Sequence, residues 1–345
     1  MTNTRLFDHP YYGLAAMIFL MLIIAVYSLS VGAIQTGWSQ ASAALITEVD
    51  PMTEKVVIDI RLPRILLAIL VGAALGIAGA ALQGLFRNPL ADPGLVGVSS
   101  GAALAAVTVI VLGGSALSDY VGWAGDLALP TAAFFGGLAV TLIIYQIATR
   151  NGRTDVSLML LAGIAINAIA VALTGILTYY ATDEELRNLT FWSMGSIASA
   201  SKEDLSIAVL PILFALIALP YYAKSLNAFL MGESACRHMG YKLKQLKTGV
   251  IIFSSLSVGA AVAVSGMIGF IGLAAPHLVR ILLGPDHRWL LPGSAIIGAI
   301  LVTLSDMLAR TLLAPAELPI GLVIAAFGGP FFLWLLLQRR NKIGW

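Results

Sequence analysis

Residues 83–102, QGLFRNPLADPGLVGVSSGA, are a polar stretch broken by proline and glycine between two long apolar runs. A helix cannot continue through Asn88-Pro89 or Asp92-Pro93, because proline lacks the amide donor and restricts the residue before it. At membrane depth a chain leaves helical geometry only where protein or water satisfies its backbone. The stretch therefore predicts a re-entrant hinge at an aqueous face, where a partner docks or a cargo passes.

The composition is that of an integral membrane protein. Of the 345 residues, 59% are hydrophobic and 11% are charged, and the mean hydropathy is +0.92. A helix needs about 20 apolar residues to cross the hydrocarbon core. We predict an all-α, polytopic membrane protein with one transmembrane domain over residues 1–345 and ten spans, near residues 12–33, 65–85, 95–117, 127–148, 156–180, 205–223, 248–265, 267–283, 289–305 and 318–337.

The seventh and eighth of these spans come from one apolar run that is too long for a single crossing. Ser265-Gly266 divides it, because glycine permits a tight turn. The basic C-terminal tail sets the orientation by the positive-inside rule. With ten spans both termini are then cytoplasmic, as are most of the 20 Lys and Arg residues and the loop at residues 224–247.

A short internal echo is present. Val71-Gly72-Ala73-Ala74 recurs as Val258-Gly259-Ala260-Ala261, and Gly79 recurs at the same offset as Gly266. Because the second and seventh spans run in opposite directions, the echo is typical of a transporter's inverted repeat. Chance is the alternative, since such helices are rich in Gly and Ala. Gly72, Gly76 and Gly79 allow close helix packing under either interpretation.

The sequence argues against several functions. It contains no G-x-x-x-x-G-K-[ST] phosphate loop, and an ion-driven carrier would carry ionisable groups inside its spans. Asp306 and Arg310, four residues apart, are interpreted as a local ion pair at a helix end. One cysteine, Cys236, and four scattered histidines give no reason to expect a metal site or a cofactor bound by this chain. No channel filter is visible. These observations favour a transporter driven by a partner.

The loop at residues 224–247 is the predicted landing place of that partner. Met231, Ala235 and Met239 are four residues apart, so they would share one face of a helix. Basic residues follow, and an amphipathic helix lying on anionic lipid is the alternative. Its apolar face is narrow for insertion into a membrane surface, which favours partner docking.

The chain resembles the permease subunits of ATP-binding-cassette importers for iron-siderophores, haem and cobalamin. The resemblance covers nearly the whole length and rests on motifs in the family order: RLPR at 61–64, the hinge at 83–102, FWSMGS at 191–196, MGESACRHMG at 231–240, GFIGLAAPHLVRILLGPDHR at 269–288 and ELPIGL at 317–322. Methionine stands at two positions of the 231–240 motif where the family usually has leucine, a change that conserves volume.

The resemblance implies an architecture and a set of partners. Such permeases have ten spans and form homodimers around a central path in the bacterial inner membrane. They bind two cytoplasmic ATPase subunits, which hold ATP and magnesium, and they receive cargo from a periplasmic binding protein. The permease is not itself an enzyme. Membrane lipid surrounds it, and no nucleic acid is involved.

The resemblance also implies roles for particular residues. The path would be lined by Asn167, Thr174, Thr178, Ser193, Met194 and Ser196, and the cytoplasmic gate would lie at Val156 and Ser157. The ATPase would contact Met231, Gly232, Glu233, Ala235, Met239 and Gly240. The binding protein would dock on Arg61, Arg64 and Arg310. For these arginines the alternative is that they snorkel and anchor helix ends.

The cargo is less well defined by the sequence. LRNLTFWSMGS at 186–196 is most similar to the haem permeases, with the ferric-siderophore and cobalamin permeases as alternatives. The neutral, weakly polar lining would let a bulky cargo slide past without a strong binding site. Two other classes remain, an ion-coupled carrier and a membrane protein with a structural or receptor role. The missing carboxylates inside the spans disfavour the first, and the broken hinge disfavours the second.

Overall fold

A computed structural model describes residues 9–32, 37–44, 50–150 and 153–340, and these residues form a bundle of α-helices. The helices are α1 Pro10–Ser28, α2 Trp38–Ala43, α3 Pro51–Glu54, α4 Leu62–Phe86, α5 Val98–Leu112, α6 Ser118–Ala124, α7 Ala128–Ala148, α8 Val156–Tyr180, α9 Asp183–Met194, α10 Lys202–Tyr221, α11 Ala223–Leu230, α12 Glu233–His238, α13 Leu243–Ser265, α14 Ile271–Leu282, α15 His287–Thr311 and α16 Ile320–Arg340. A π-helical turn, Lys55–Arg61, joins α3 to α4. Two short antiparallel strands, β1 Thr149–Arg150 and β2 Arg153–Thr154, connect α7 to α8.

Within the part of the chain that the structure describes, seven helical segments are long and apolar enough to cross a membrane: Pro10–Ser28, Pro51–Phe86, Ser118–Ala148, Val156–Tyr180, Lys202–Tyr221, Leu243–Ser265 and His287–Thr311. Three shorter apolar helices, Val98–Leu112, Ile271–Leu282 and Ile320–Leu333, fall on the third, eighth and tenth predicted spans. The all-helical membrane fold is thereby confirmed. The predicted end of the first span at Ala33 lies outside the described residues.

Helix α4 is the core of the bundle, with 83% of its most apolar window buried. It packs on α15 through glycine. A side chain at Gly72 or Gly76 would collide with the backbone of Gly298 or Ser294, and one at Gly79 would collide with the backbone of Gly272. The prediction that these small residues allow close helix packing is confirmed.

The predicted break in the long apolar run is also confirmed. Helix α13 ends at Ser265 and α14 begins at Ile271. Between them Gly266 has φ 65° and Phe270 has φ 66°. Gly266 ends a helix, whereas its counterpart Gly79 lies inside one, so the two glycines of the internal echo have different surroundings.

Helix α15 continues to Thr311, beyond the predicted end of the ninth span at residue 305. Charged residues normally end a span, but Asp306 and Arg310 are 0% and 3% exposed here. Their charges are neutralised within the protein rather than by water, so the helix does not have to stop before them.

Candidate functional site

The hinge at residues 83–102 is built as its sequence predicts. Helix α4 ends at Phe86, and Arg87 adopts the left-handed conformation with φ 50°. Asn88 Oδ1 accepts from Leu90 N at 2.9 Å, and Asp92 Oδ1 accepts from Gly94 N at 2.8 Å. Residues 87–90 are exposed, which agrees with a turn at an aqueous face.

Asn167, a predicted path residue on α8, holds this hinge in place. Its Nδ2 donates to the carbonyl oxygen of Gly94 at 3.4 Å, and its Oδ1 accepts from Ser100 Oγ at 2.5 Å. Gly97, with φ 82°, lies against Ile144 and Val140 at a point where a side chain would not fit. The amide of Asn167 therefore connects α8 to the hinge in this conformation.

The predicted gate lies at the start of α8. Asp155 caps the helix by accepting from Ser157 N at 2.8 Å and Leu158 N at 3.2 Å, and an acidic cap suits the positive end of the helix dipole. Val156 is half-buried and Ser157 is exposed. A cavity of about 460 Å³ brings this start together with Arg87 of the hinge and Glu233 of the predicted coupling segment. We call this the coupling end of the bundle.

The coupling segment departs from its prediction in one respect. Met231, Ala235 and Met239 do not share one continuous helix, because α12 covers only Glu233–His238. Gly232 with φ 113° and Gly240 with φ 86° break the chain on either side. Met231 and Met239 remain 71% and 48% exposed, so the segment still presents apolar side chains to the outside. No described atom lies within 4 Å of a side chain built on either glycine, so these glycines are required by backbone conformation and not by close approach.

Two further predicted path residues lie on the same face of α8. Thr174 and Thr178 are half-buried, and Thr178 Oγ1 donates to the carbonyl oxygen of Thr174 at 2.7 Å. The hydroxyl group of Thr178 is thus engaged with its own helix.

The remaining path candidates follow in the segment around the end of α9. Ser193 Oγ donates to Thr190 O at 2.8 Å, and Ser196 N donates to Ser265 O at 2.8 Å. The backbone of Met194 lies against Gly321, the second residue of α16. Ser196 also lines a cavity of about 710 Å³. The segment therefore meets the end of α13 and the start of α16.

The three predicted docking arginines are buried rather than displayed at a rim. Arg61 and Arg64 are each 4% exposed and Arg310 is 3% exposed. Arg61 Nη1 donates to Leu29 O at 2.5 Å, and Arg310 Nη2 donates to Ser28 Oγ at 2.5 Å. Both arginines thus fasten the end of α1. We call this the arginine end of the bundle.

Arg64 and Arg310 share Asp306. Arg64 Nε lies 2.8 Å from Asp306 Oδ1, and Arg310 Nε lies 3.2 Å from Asp306 Oδ2. Arg64 Nη1 also contacts Glu317, which is 35% exposed, at 2.8 Å. The predicted local pair between Asp306 and Arg310 is confirmed, and it belongs to a larger network that joins α4, α15 and the residues before α16.

A second polar cluster joins α11 to the start of α15. Asn227 Nδ2 donates to Asp286 Oδ1 at 2.6 Å, and Asn227 Oδ1 accepts from His287 N at 3.0 Å. Arg288 Nη2 donates to Asp286 Oδ2 at 2.6 Å. Burial alone would raise the pKa of Asp286, but the hydrogen bonds from Arg288 and Asn227 outweigh it and lower the pKa to about 2.

Three residues of the site are not predicted by the sequence: Glu317 and Asn227 in these two clusters, and Lys247 at the coupling end. Glu317 was part of a quoted motif without a role, Asn227 carried no signal, and Lys247 was counted only as a basic residue of the loop. Lys247 is in fact 5% exposed and bonded to Glu233. The position of Lys247 could have indicated its burial. It directly precedes an apolar run, where a lysine becomes buried if a carboxylate pairs with it.

The comparisons with known proteins define the class of the chain. A profile of the FecCD transport family matches residues 20–338. The hemin transport system permease protein HmuU of Yersinia pestis is 44% identical over 340 residues, covering 96% of this chain and 97% of that protein. The vitamin B12 import system permease protein BtuC of Salmonella paratyphi A is 42% identical over 285 residues, covering 82% of this chain and 84% of that protein.

Two solved structures are similar in fold. One is described as an inward-facing conformation of a metal-chelate type ABC transporter, with TM-score 0.83, 33% identity, and coverage of 96% of this chain and 100% of that one. The other, PsaBC from Streptococcus pneumoniae in complex with Fab, has TM-score 0.51 and 18% identity, covers 86% of this chain and 93% of that one, and is similar in fold alone. The helical bundle with its re-entrant hinge is that of a transporter permease. The chain belongs to the FecCD transport family.

Proposed function

We propose that this chain is the permease subunit of an ATP-driven importer that carries haem from the periplasm to the cytoplasm. The observation that carries the proposal is the 44% identity to a hemin permease along 96% of the chain. A metal-chelate type transporter as structural relative is consistent with it. The weakly polar candidate path residues suit a bulky cargo that must pass without being trapped.

The proposed membrane arrangement has ten crossings in a single domain, made by the seven long helices and the three shorter apolar ones. Both termini lie in the cytoplasm of a bacterial cell, and the chain resides in the inner membrane. The short helices are the natural place for re-entrant or tilted crossings, because protein surrounds the irregular backbone between them. Buried polar side chains supply hydrogen bonds to backbone groups of the short helices. Gln83, for example, donates to the carbonyl oxygen of Gly272 in α14 at 3.1 Å.

The proposed assembly is a homodimer with two ATPase subunits and a periplasmic binding protein. ATP and magnesium bind to the ATPase subunits, and this chain binds no cofactor. We place the dimer axis along α8, whose exposed apolar face, with Leu161 and Ile164 64% and 62% exposed, is available for a second copy. Lipid covers the other apolar faces, and nucleic acid has no role.

The residue roles are proposed accordingly. Val156 and Ser157 form the gate, and the 231–240 segment receives the ATPase. The arginine end receives the binding protein, with a carboxylate of that protein exchanging for Glu317 on Arg64. Charge pairs at such a surface mainly set the rate and register of docking. The path runs past Asn167, Thr174, Thr178, Ser193, Met194 and Ser196.

Transport by the reconstituted complex tests the cargo. The permease, its ATPase subunits and its own binding protein are assembled in sealed vesicles that contain ATP or lack it, and haem, a ferric siderophore or cobalamin is added with the binding protein. We expect haem uptake that requires enclosed ATP. Uptake of cobalamin without haem would transfer the function to the second candidate, which the 42% identity to a vitamin B12 permease favours. Uptake in the absence of ATP would show an ion-coupled carrier.

A further inference from the structure

Lys247 lies near the start of α13 and contacts three other elements. Its ammonium group donates to Glu233 Oε1 at 2.6 Å and to the carbonyl oxygen of Thr154 at 2.7 Å. It also lies 5.8 Å from the ring centre of Phe229, which is fully buried on α11. With 5% of its surface exposed, the ammonium depends on these partners in place of water.

The two oxygen partners lie in two different parts of the coupling end. One part is proposed to receive the ATPase and the other to form the gate, so the proposed function requires the two parts to move together. Glu233 is the first residue of α12, and its side chain is 41% exposed at the surface proposed to receive the ATPase. Thr154 directly precedes Asp155, the residue that caps α8 at the proposed gate.

Thr154 is joined to the start of α8 through the chain, one residue before the cap Asp155, and it is fixed to the end of α7. Its hydroxyl lies 3.0 Å from that of Thr149, and the next residue, Asp155, donates its amide to Ala148 O at 2.9 Å. A displacement of Thr154 therefore changes the position of the cap, and with it the first turn of the helix that carries Val156 and Ser157.

A cavity separates α12 from the start of α8. It has a volume of about 460 Å³ and is lined by Asp155, Val156 and Ser157 on one side and by Glu233 and Arg237 on the other. Because of this cavity, a movement of α12 is not transmitted to the start of α8 by direct packing of their side chains. Lys247 is bonded to Glu233 of α12 and to Thr154 of β2, the strand that leads into α8.

We infer that Lys247 is a positioning residue that couples movement of α12 to the start of α8. A buried ammonium that loses a partner is left with an unpaired charge, which is far costlier than keeping both bonds as the structure shifts. Movement of Glu233 is therefore passed through Lys247 to Thr154. The inference rests on the proposed function, since it assigns α12 to the ATPase contact and α8 to the gate.

The first test compares Lys247→Met with Lys244→Met in the reconstituted complex. Both variants remove one positive charge from the same cavity and the same helix, but only the first removes the two bonds. We expect Lys247→Met to lower the amount of cargo carried per ATP hydrolysed by at least about fivefold, the lower end of ordinary coupling between sites. Lys244→Met should keep the wild-type ratio. A wild-type ratio in Lys247→Met would overturn the inference.

The second test separates the ion pair from the bond to Thr154. The exchange Glu233→Lys with Lys247→Glu restores a pair of opposite charges, but a carboxylate at position 247 cannot donate to a carbonyl oxygen. We expect the transport per ATP of the exchanged protein to stay low in the complexes that keep the wild-type ratio of ATPase to permease. Recovery of wild-type transport per ATP would show that the link to Thr154 is not used.

A third measurement does not depend on the cargo. Nitroxide labels at Ser157→Cys and Ser206→Cys report the position of the start of α8 relative to α10 within one chain. Addition of ATP should change this distance in the wild-type and Lys244→Met backgrounds but not in Lys247→Met. If the distance responds to ATP while none of the three cargoes is taken up, the proposed function fails and the inference stands. An unchanged response in Lys247→Met would refute the inference.

Glu233→Ala covers the case in which Lys247→Met does not accumulate in the membrane. Glu233 is 41% exposed, so its truncation opens no cavity in the core and keeps the bond from Lys247 to Thr154, although it leaves the ammonium without its counter-charge. Glu233 also belongs to the proposed ATPase contact, so transport per ATP is compared only in complexes that keep the wild-type ratio of ATPase to permease, and the same fall is expected there. Wild-type transport per ATP in this variant would contradict the inference.

Discussion

Arg64 and Asp306 form a buried ion pair between two helices, with Nε and Oδ1 2.8 Å apart and the residues separated by 242 positions in the chain. Their side chains are 4% and 0% exposed. The start of α4 and the end of α15 are thus joined by charge. Arg310 shares the same carboxylate, so one acid neutralises two cations.

Asp306→Asn should strongly destabilise the fold. The amide leaves two arginines without their shared counter-charge, and breaking a buried pair in this way costs about 3–5 kcal/mol. Unfolding of the purified protein in detergent measures the change. Asp59→Asn is the matched control, because Asp59 pairs with Lys202 at an exposed site, 52% and 68% exposed, where pairs contribute about 0–1 kcal/mol. Equal effects of the two substitutions would contradict the assigned network.

Glu317→Gln tests docking at the arginine end. Reversing Arg61, Arg64 and Arg310 to Glu would remove docking, but it would also break the buried network, so its result would be mixed. Glu317 is 35% exposed and competes with any incoming carboxylate for Arg64. We expect Glu317→Gln to raise the affinity for the binding protein by up to about fivefold, because a partly exposed ion pair contributes no more than about 1 kcal/mol. The increase should be smaller at high salt, which screens the charges. Unchanged affinity at both salt concentrations would show that these arginines only hold helices together.

Ala235→Arg should detach the ATPase subunits. It places bulk and charge on α12 between the exposed Met231 and Met239. The ratio of ATPase to permease on co-purification is the measurement, and the permease itself should remain intact. Ser206→Arg, at an exposed position on α10, is the control and should keep the wild-type ratio. Retention of the ATPase by Ala235→Arg would remove α12 from the interface.

Ser157→Cys should form a crosslink between the two copies of the gate. Ser157 is exposed at the start of α8, and packed helices lie about 8–10 Å apart, so a bifunctional reagent of that length should join the two cysteines and stop transport. The native Cys236 should interfere little, because burial raises the pKa of its thiol and the nearby Glu233 acts in the same direction. If only longer reagents react, the gate lies elsewhere or the subunits pair differently.

Asp286 should make stability depend on pH. Its pKa is lowered from 3.8 to about 2 in the folded chain, so its stabilising contribution is present above pH 4 and is lost as the pH falls towards 2. The wild type should therefore be more stable than Asp286→Asn at pH 5, and the difference should shrink at pH 3. Thermal unfolding at the two pH values measures it. A constant difference would mean that Asn227 and Arg288 do not hold the carboxylate in its charged form.

The sequence was informative where a rule acts locally. The length of apolar runs located the helices, proline ended α4 before Asn88, and glycine at 266 ended α13. Each of these outcomes is decided by a few neighbouring residues. The prediction that Met231, Ala235 and Met239 share one helical face was wrong, and the cause is again local. The positive φ angles of Gly232 and Gly240 end the helix before it can include the two methionines.

The sequence was uninformative where partners come from distant positions. Asp306 appeared as the local partner of Arg310, and its bond to Arg64 is made only when α4 and α15 pack. Lys247 appeared as a loop cation, and its burial depends on Thr154, which lies 93 positions away. Charge patterns along the chain cannot distinguish a solvated residue from one that folding encloses.

The glycine contact between α4 and α15 restricts how this chain can change shape. With the backbones of Gly72 and Gly298 in direct contact, neither helix can rotate or slide without forcing the other aside. They form a fixed frame. Helix α8 is the opposite case, with 22% of its most apolar window buried, and it packs mainly on α5, on α7 and on the hinge rather than on this frame. In the proposed importer we therefore expect the alternation between open and closed states to be a swing of lightly packed helices around a stationary centre, and substitutions at Gly72 or Gly298 should affect folding rather than the speed of that swing.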